Sequence, residues 1–408
     1  MQEPVAPVGV MGMGVVSPLG NDIDSSWRLL RDGGSAIRRM DRAGQPGLPV
    51  ASADFNVSPV LSKLQQVGTE RVSHMALVAA LNAFADADQG EWKDAERVGL
   101  YVGTGMGGAS TIDHGYAALH SGGRIPPLTV PAGMANSAAA LIALHMDVRG
   151  PVLTYAVACA SSAVAIAEAA HALRRGEVDI AIAGGAEALL VPGAIAAWSA
   201  LRTLAPPQDD DVGRSCRPFS RDRSGLVLGE GSAFLVLQRQ ADVVRRGSTP
   251  RAWLAGSAVR CDAAHLTNPS VRGQVAALRG ALAASGLTPA DVGYCNAHGT
   301  GTVAGDPVEC EALREVWQEA APRLAVSSTK AAHGHLLGAA GALEAVWTIQ
   351  ALRTGDLPPT HGLVDIDPGC RGLEHILHTG IHAPDLRHAI SNSFAFGGTN
   401  ATLVFSKA

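Results

Sequence analysis

VLTYAVACASSAVAIAEAAHALRRGEVD, residues 152 to 179, opens with a short apolar run, passes through small residues and continues into an alanine-rich stretch. The run 152–158 has the length and β-branched content of a buried strand, and Ser162–Arg175 is long enough for a helix. LAVSSTKAAHGHLLGAAGALEAVWTIQALRTGDLP, residues 324 to 358, follows the same plan. The first helix stops at Ala-Leu-Arg-Arg-Gly and the second at Ala-Leu-Arg-Thr-Gly. Aligning Ala172 with Ala351 sets an offset of 179 residues and places Cys159 opposite Gly338. Two unrelated helices could share a stop signal. A common order of strand, turn and helix favours a duplicated domain with two similar halves.

The surrounding sequence extends the pattern. VGLYVGTG (98–105), DIAIAGGA (179–186), SAFLVLQ (232–238), RLAVSST (323–329) and ATLVFS (401–406) read as buried strands. Helical patterns such as Leu337–Arg353 lie between them, so the fold class is α/β. The charged, glycine- and proline-marked stretch 238–253 reads as the junction. It divides the chain into 1–243 and 244–408.

Composition limits the possible functions. With 408 residues, 47% hydrophobic and 17% charged, the chain can bury a large core. A net charge of −5 offers no basic surface for nucleic acid. The opening MQEPVAPVGVMGMG lacks the basic region of an export signal. The uncharged stretch 150–167 contains Pro151, Thr154, Tyr155 and two serines, which suit a buried strand and helix better than a membrane span. A soluble, cytoplasmic protein is expected. The six cysteines form no CxxC pair, so neither a disulfide framework nor structural zinc is indicated.

Cys159 stands apart because it lies where strand gives way to helix. Unpaired amides and the dipole at a helix start favour a thiolate by roughly 0.3–1 kcal/mol. The same amides can hold a carbonyl oxygen under attack. The small residues after it read as room for a bound chain. NAHGTGT (296–302) puts His298 in a glycine-rich turn after an apolar run. STKAAHGHLLGAAGALE (328–344) gathers Lys330, His333, His335 and Glu344 around a strand-to-helix junction, with no carboxylate at metal-ligand spacing from the two histidines. SNSFAFGGTNATLVF (391–405) sets Phe394 and Phe396 before a double glycine, and no Gly-Lys-Ser/Thr follows to suggest phosphate binding.

Together these motifs resemble a β-ketoacyl-[acyl carrier protein] synthase of the elongating, synthase II type, among the thiolase-fold condensing enzymes. The resemblance spans nearly the whole chain. It runs through GMGVVSPLGND (12–22), YVGTGMGG (101–108), VACASS (157–162), IAGGAEALLVP (182–192), RPFSRDRSGLVLGEG (217–231), CDAAHLTNP (261–269) and NAHGTGTVAGDPVE (296–309), then the Lys330 and Phe396 segments. It implies duplicated βαβαβαββ halves forming a five-layered α-β-α-β-α core. The implied activity is decarboxylative condensation of an acyl group with malonyl-acyl carrier protein, in fatty-acid or polyketide elongation.

By the same resemblance, Cys159 is the acyl-accepting nucleophile and His298 and His335 are the decarboxylating pair. The amides of Cys159 and Phe396 form an oxyanion hole, and Lys330 and Glu344 are a supporting polar pair. Thr300 and Thr302 contact the pantetheine arm, Thr267 helps to place the malonyl carboxylate, and Met106 and Trp198 stand near the floor of the acyl tunnel. No permanently bound cofactor or metal is implied. Substrates arrive on the phosphopantetheine of an acyl carrier protein, and the enzyme is a homodimer or pairs with a related ketosynthase subunit.

One position departs from the family: His333 stands where a small polar residue is common, and a surface or hydrogen-bonding role is expected for it. Two other readings remain. A thiolase-type acyltransferase would carry a second cysteine in the C-terminal glycine loop, which FAFGGTN lacks. The non-catalytic subunit of a polyketide heterodimer would lack the nucleophile.

Overall fold

The structure, a computed structural model, describes residues 4–42, 45–88, 90, 93–208 and 211–408. Its centre is an eleven-stranded sheet whose two sides repeat each other. From the centre outward, one side runs Val8–Val16, Gly231–Arg239, Ile180–Glu187, Val98–Gly103 and Val152–Tyr155. The other runs Ala252–Cys261, Thr399–Ser406, His388–Phe394, Tyr294–Asn296 and Ala325–Ser327, with the short Glu374–His375 added at the edge. On both sides the two inner pairings are antiparallel and the two outer ones parallel. Antiparallel pairing of Val8–Val10 with Ala252–Leu254 joins the halves.

Helices Ser161–Arg174 and Ala340–Thr354 lie together between the two sides and pack on strands of both. Outer layers are built from Arg71–Asp86 and Ser137–Met146 on one side, and from Val271–Ser285 and Gly305–Trp317 on the other. The result is the expected five-layered thiolase-like core. Every residue from Ala340 to Leu352 is buried. That explains why this helix shows no polar face: an element enclosed on all sides has none to show.

The 179-residue offset reappears in the backbone. Single 3-10 turns span Ala158–Ala160 and Leu337–Ala339, and the inner helices start at Ser161 and Ala340. Ala158 and Leu337 both adopt left-handed backbone, with φ of 49° and 46°. Neither residue type favours that region, so the two halves share one strained turn. The anticipated junction holds a short helix, Gln240–Arg246, and the division between 243 and 244 falls inside it. Among the described residues no helix is long and apolar enough to cross a membrane.

Val8–Val16 is a central strand that the apolar-run reading does not single out. Its glycines depress strand propensity. The packing explains their presence: a Cβ on Gly14 would sit 2.1 Å from the carbonyl oxygen of Ala79, so helix Arg71–Asp86 approaches only because the side chain is missing. Gly14→Val is therefore expected to destabilise the protein by about 1–3 kcal/mol through overpacking. Thermal unfolding measures this, and an unchanged midpoint would show that the helix recedes freely.

Candidate active site

Cys159 sits in the strained turn ahead of the first inner helix, almost fully buried. Ser161 ties that turn: its hydroxyl accepts from the Val157 amide (2.9 Å) and donates to the Ala158 carbonyl (2.7 Å). The Ser162 hydroxyl accepts from the Ala342 amide of the other inner helix (2.9 Å). The two serines are thus buried braces and do not line the cavity, contrary to the expectation that they leave space for a chain.

Three reactive side chains converge. Cys159, His298 and His335 each place one sulfur or ring nitrogen within 4.8 Å of the others. His335 Nε2 lies 3.0 Å from Cys159 Sγ, and the two imidazoles meet edge-on with centroids 5.4 Å apart. The Leu337 amide donates to His335 Nδ1 (3.3 Å). This assigns the proton of the neutral ring to Nε2, which therefore donates toward the sulfur. The Phe396 amide donates to the same sulfur. Burial and the positive charge of Lys330 hold both imidazoles well below the usual histidine range, so both are neutral at physiological pH.

The thiol departs from the expectation of a helix-activated thiolate. Burial pushes it up to about 12, against the opposing pull of Lys330 and the Phe396 amide. Desolvation of a charged sulfur outweighs a helix-end effect of about 1 kcal/mol. The resting group is a thiol.

Lys330 and Glu344 form a fully buried ion pair behind the histidines. Burial raises the Glu344 carboxyl to about 7, with Lys330 pulling the other way. Thr300 and Thr302 line the cavity with their hydroxyls 3.1 Å apart. Thr267 lines it too, on a loop pinned by His265 Nδ1, which accepts from the Thr267 and Asn268 amides (3.1 Å each). The cavity holds about 250 Å³, with apolar walls from Trp198, Leu226, Leu266 and Phe394. Trp198 stacks on Phe396, ring centroids 6.0 Å apart. Met106 is not part of this cavity. Its side chain is 49% exposed, so the expectation that it floors the same tunnel as Trp198 does not hold within this chain. His333 is wholly buried, which removes the surface alternative and leaves the hydrogen-bonding one.

Three further buried carboxylates organise the site. Glu309 accepts from the amides of His298 (2.9 Å) and Gly299 (2.8 Å). Asp306, one turn earlier on the same helix, accepts from Thr300 (3.1 Å), Gly301 (3.2 Å) and Phe219 (2.8 Å). Glu187 accepts from the amides of Gly105 (2.6 Å), Met106 (3.2 Å) and Gly338 (3.0 Å). Sequence reasoning assigns them no role, although Glu187 is the only charged residue between Asp179 and Arg202. A lone acid in so apolar a stretch must be either paired or hydrogen-bonded.

Residues 5–243 match the family described as Beta-ketoacyl synthase, N-terminal domain, and residues 251–364 match Beta-ketoacyl synthase, C-terminal domain. The chain belongs to the β-ketoacyl synthase family. It is 38% identical to nodulation protein E of Rhizobium leguminosarum bv. trifolii over 407 residues, 98% of each chain. It is 36% identical to 3-oxoacyl-[acyl-carrier-protein] synthase 2 of Staphylococcus aureus (strain COL), again over 98% of each. Among solved structures, a type II polyketide ketosynthase in complex with its acyl-carrier protein superposes with a TM-score of 0.90 at 27% identity, covering 99% of this chain and 100% of that one. The protein is thus an acyltransferase that condenses acyl units in fatty-acid or polyketide elongation.

Two outcomes follow from the electrostatics. Alkylation of Cys159 by iodoacetamide should accelerate about tenfold per pH unit from pH 7 to 9.5, because the thiolate is the reacting form. A plateau below pH 9 in the rate, followed by peptide mapping, would show a thiolate already formed. Removing one member of the buried pair, as in Glu344→Leu, should cost about 3–5 kcal/mol in denaturant unfolding, whereas Lys330→Met with Glu344→Leu should recover most of it.

Proposed function

We propose that Cys159 carries the growing acyl chain and that His298 and His335 act as paired hydrogen-bond donors for decarboxylation. The observation that carries this reading is the tautomer of His335. With Nδ1 occupied by the Leu337 amide, Nε2 bears a proton and faces the sulfur. A neutral donor suits a developing oxyanion better than it suits a base.

In the first half-reaction the Cys159 sulfur attacks the carbonyl of an acyl-pantetheine thioester. The pantetheine sulfur departs and takes up the proton released by the thiol. The amides of Cys159 and Phe396 hold the carbonyl oxygen as it becomes negative. In the second, the malonyl carboxylate leaves as CO₂ and its bonding electron pair passes to the neighbouring carbon. The resulting enolate oxygen accepts hydrogen bonds from His298 and His335. The enolate carbon then attacks the Cys159 thioester, a C–C bond forms, the C–S bond breaks, and the released cysteine thiolate takes up a proton from solvent. Thr300 and Thr302 receive the pantetheine arm, Thr267 sits beside the malonyl carboxylate, and Trp198 limits the acyl compartment. The Lys330–Glu344 pair supports the histidines.

An acyl carrier protein delivers both substrates, and a second ketosynthase-like chain pairs with this one. Support for the pairing comes from exposed apolar side chains: Leu153 on the edge strand Val152–Tyr155, and Tyr116, Leu119, Val130 and Met134 on or next to the packed helices Ala109–His120 and Thr129–Gly133.

Separate assays of the two half-reactions test the division of roles. Cys159→Ala should abolish acyl transfer and condensation. His298→Ala or His335→Ala should lower malonyl decarboxylation by about 10²–10³, the usual cost of one oxyanion donor, while sparing acylation of Cys159 seen by intact mass. Equal loss of both steps contradicts the assignment. Trp198→Ala should shift condensation toward longer primers, gaining about 0.8 kcal/mol per extra buried methylene. An unchanged primer ladder would leave Trp198 as ordinary wall.

A further inference from the structure

His333 has no place in the chemistry above, yet it is completely buried two residues from His335. Its ring spans two partners. Nδ1 lies 2.8 Å from the Gly334 carbonyl oxygen, and Nε2 lies 3.0 Å from the Thr329 hydroxyl. A carbonyl can only accept, so Nδ1 carries the proton and Nε2 accepts from Thr329. The carbonyl held in this way belongs to the peptide bond whose nitrogen is that of His335.

That peptide needs holding. Gly334 has φ of 68° and ψ of −175°, a conformation reserved for glycine that a flexible residue leaves easily. Its other constraints are backbone bonds. The Gly334 amide donates to Lys330 (2.8 Å), the His335 amide donates to Val227 (2.7 Å), and the His335 carbonyl accepts from Gly229 (2.9 Å). The His333 ring is the side-chain clamp on the remaining oxygen. Thr329, which supports the ring, also lies 3.4 Å from Asn296 Oδ1 on the strand leading to His298. The clamp therefore lies between the segments that present the two imidazoles.

We infer that His333 is a positioning residue: by bracing the Gly334 carbonyl against the Thr329 hydroxyl, it fixes the peptide that aims His335 at the reacting oxygen. The inference rests on the role proposed for His335.

Two amide substitutions separate this role from simple core filling. Asparagine places an N–H donor where His Nδ1 stands and keeps the bond to Gly334. Glutamine reaches the Nε2 position and keeps the bond to Thr329. His333→Ala and His333→Gln should lower malonyl decarboxylation roughly ten- to hundredfold, the scale of a misplacement near 1 Å, with Cys159 acylation retained. His333→Asn should recover most of that loss. Melting temperatures are measured for all three, since each variant disturbs a packed site. The inference is overturned if Asn and Gln fall alike in step with their melting temperatures, if decarboxylation is unchanged in all three, or if acylation falls as far as decarboxylation. His335→Ala runs alongside: decarboxylation surviving there refutes the reading of His335 and this inference with it. Collapse there with active His333 variants refutes this inference alone.

Discussion

One buried carboxylate fastens the two halves at the point where chemistry happens. Glu187 ends a strand of the first half and accepts hydrogen bonds from Gly105 and Met106 of that half and from Gly338 of the second. Burial raises its carboxyl to about 7 even though these donors pull the other way. The group is costly to bury and more costly to leave unpaired, since an unmet buried acceptor forfeits about 1–3 kcal/mol, more when charged. Glu187 therefore holds the turn Leu337–Ala339, which begins two residues after His335, against the loop at Gly105 and Met106. The turn that carries Cys159 meets the same loop through Ser161, whose hydroxyl lies 3.1 Å from the Thr104 carbonyl oxygen, so the 3.0 Å contact between sulfur and imidazole rests on a joint that neither residue takes part in.

The same dryness governs reactivity. Removing water from the site pushes the thiol up and the imidazoles down, which favours neutral groups throughout. For the histidines this serves the proposed role, because a neutral ring with a directed N–H donates without bringing a charge of its own. For the cysteine it is a handicap. The positive charge that offsets it is Lys330, which lowers the cysteine and both histidines together. One buried cation thus favours ionised sulfur and neutral imidazole at once. Glu344 keeps that cation paired in the interior.

Much of this was legible beforehand, for identifiable reasons. Apolar runs such as 98–105 and 179–186 mark strands because their neighbours are turns, and the strands observed, Val98–Gly103 and Ile180–Glu187, differ only at their ends. The repeated stop after Ala-Leu-Arg exposed the duplication. Val8–Val16 was obscured by glycines whose purpose lies on a helix some seventy residues away. Glu187, Asp306 and Glu309 were obscured because an acidic letter suggests solvent, and only the fold shows three carboxylates turned inward to hold backbone amides. The height of the thiol pKa was hidden for a related reason: a helix start can be read locally, whereas burial is a property of the whole assembly. Met106 illustrates the converse, since the resemblance places it near the tunnel floor and the structure leaves it half exposed outside the cavity.

Duplication also explains why the two halves can be alike in backbone and unlike in chemistry. Both carry the left-handed turn, at Ala158 and at Leu337, and both follow it with a buried helix. At the position matching Cys159 the second half has Gly338, where a Cβ would lie 2.1 Å from the Gly105 amide nitrogen. A side chain there would force the halves apart and break the bond to Glu187. The second half thus has no side chain at its turn because the Thr104–Gly105 backbone of the first half passes there. The space remaining beside the sulfur is reached by His335 from the second half and by the Phe396 amide from the C-terminal loop. Symmetry supplies the scaffold, and the nucleophile stands at a position where the side chains of the two halves differ.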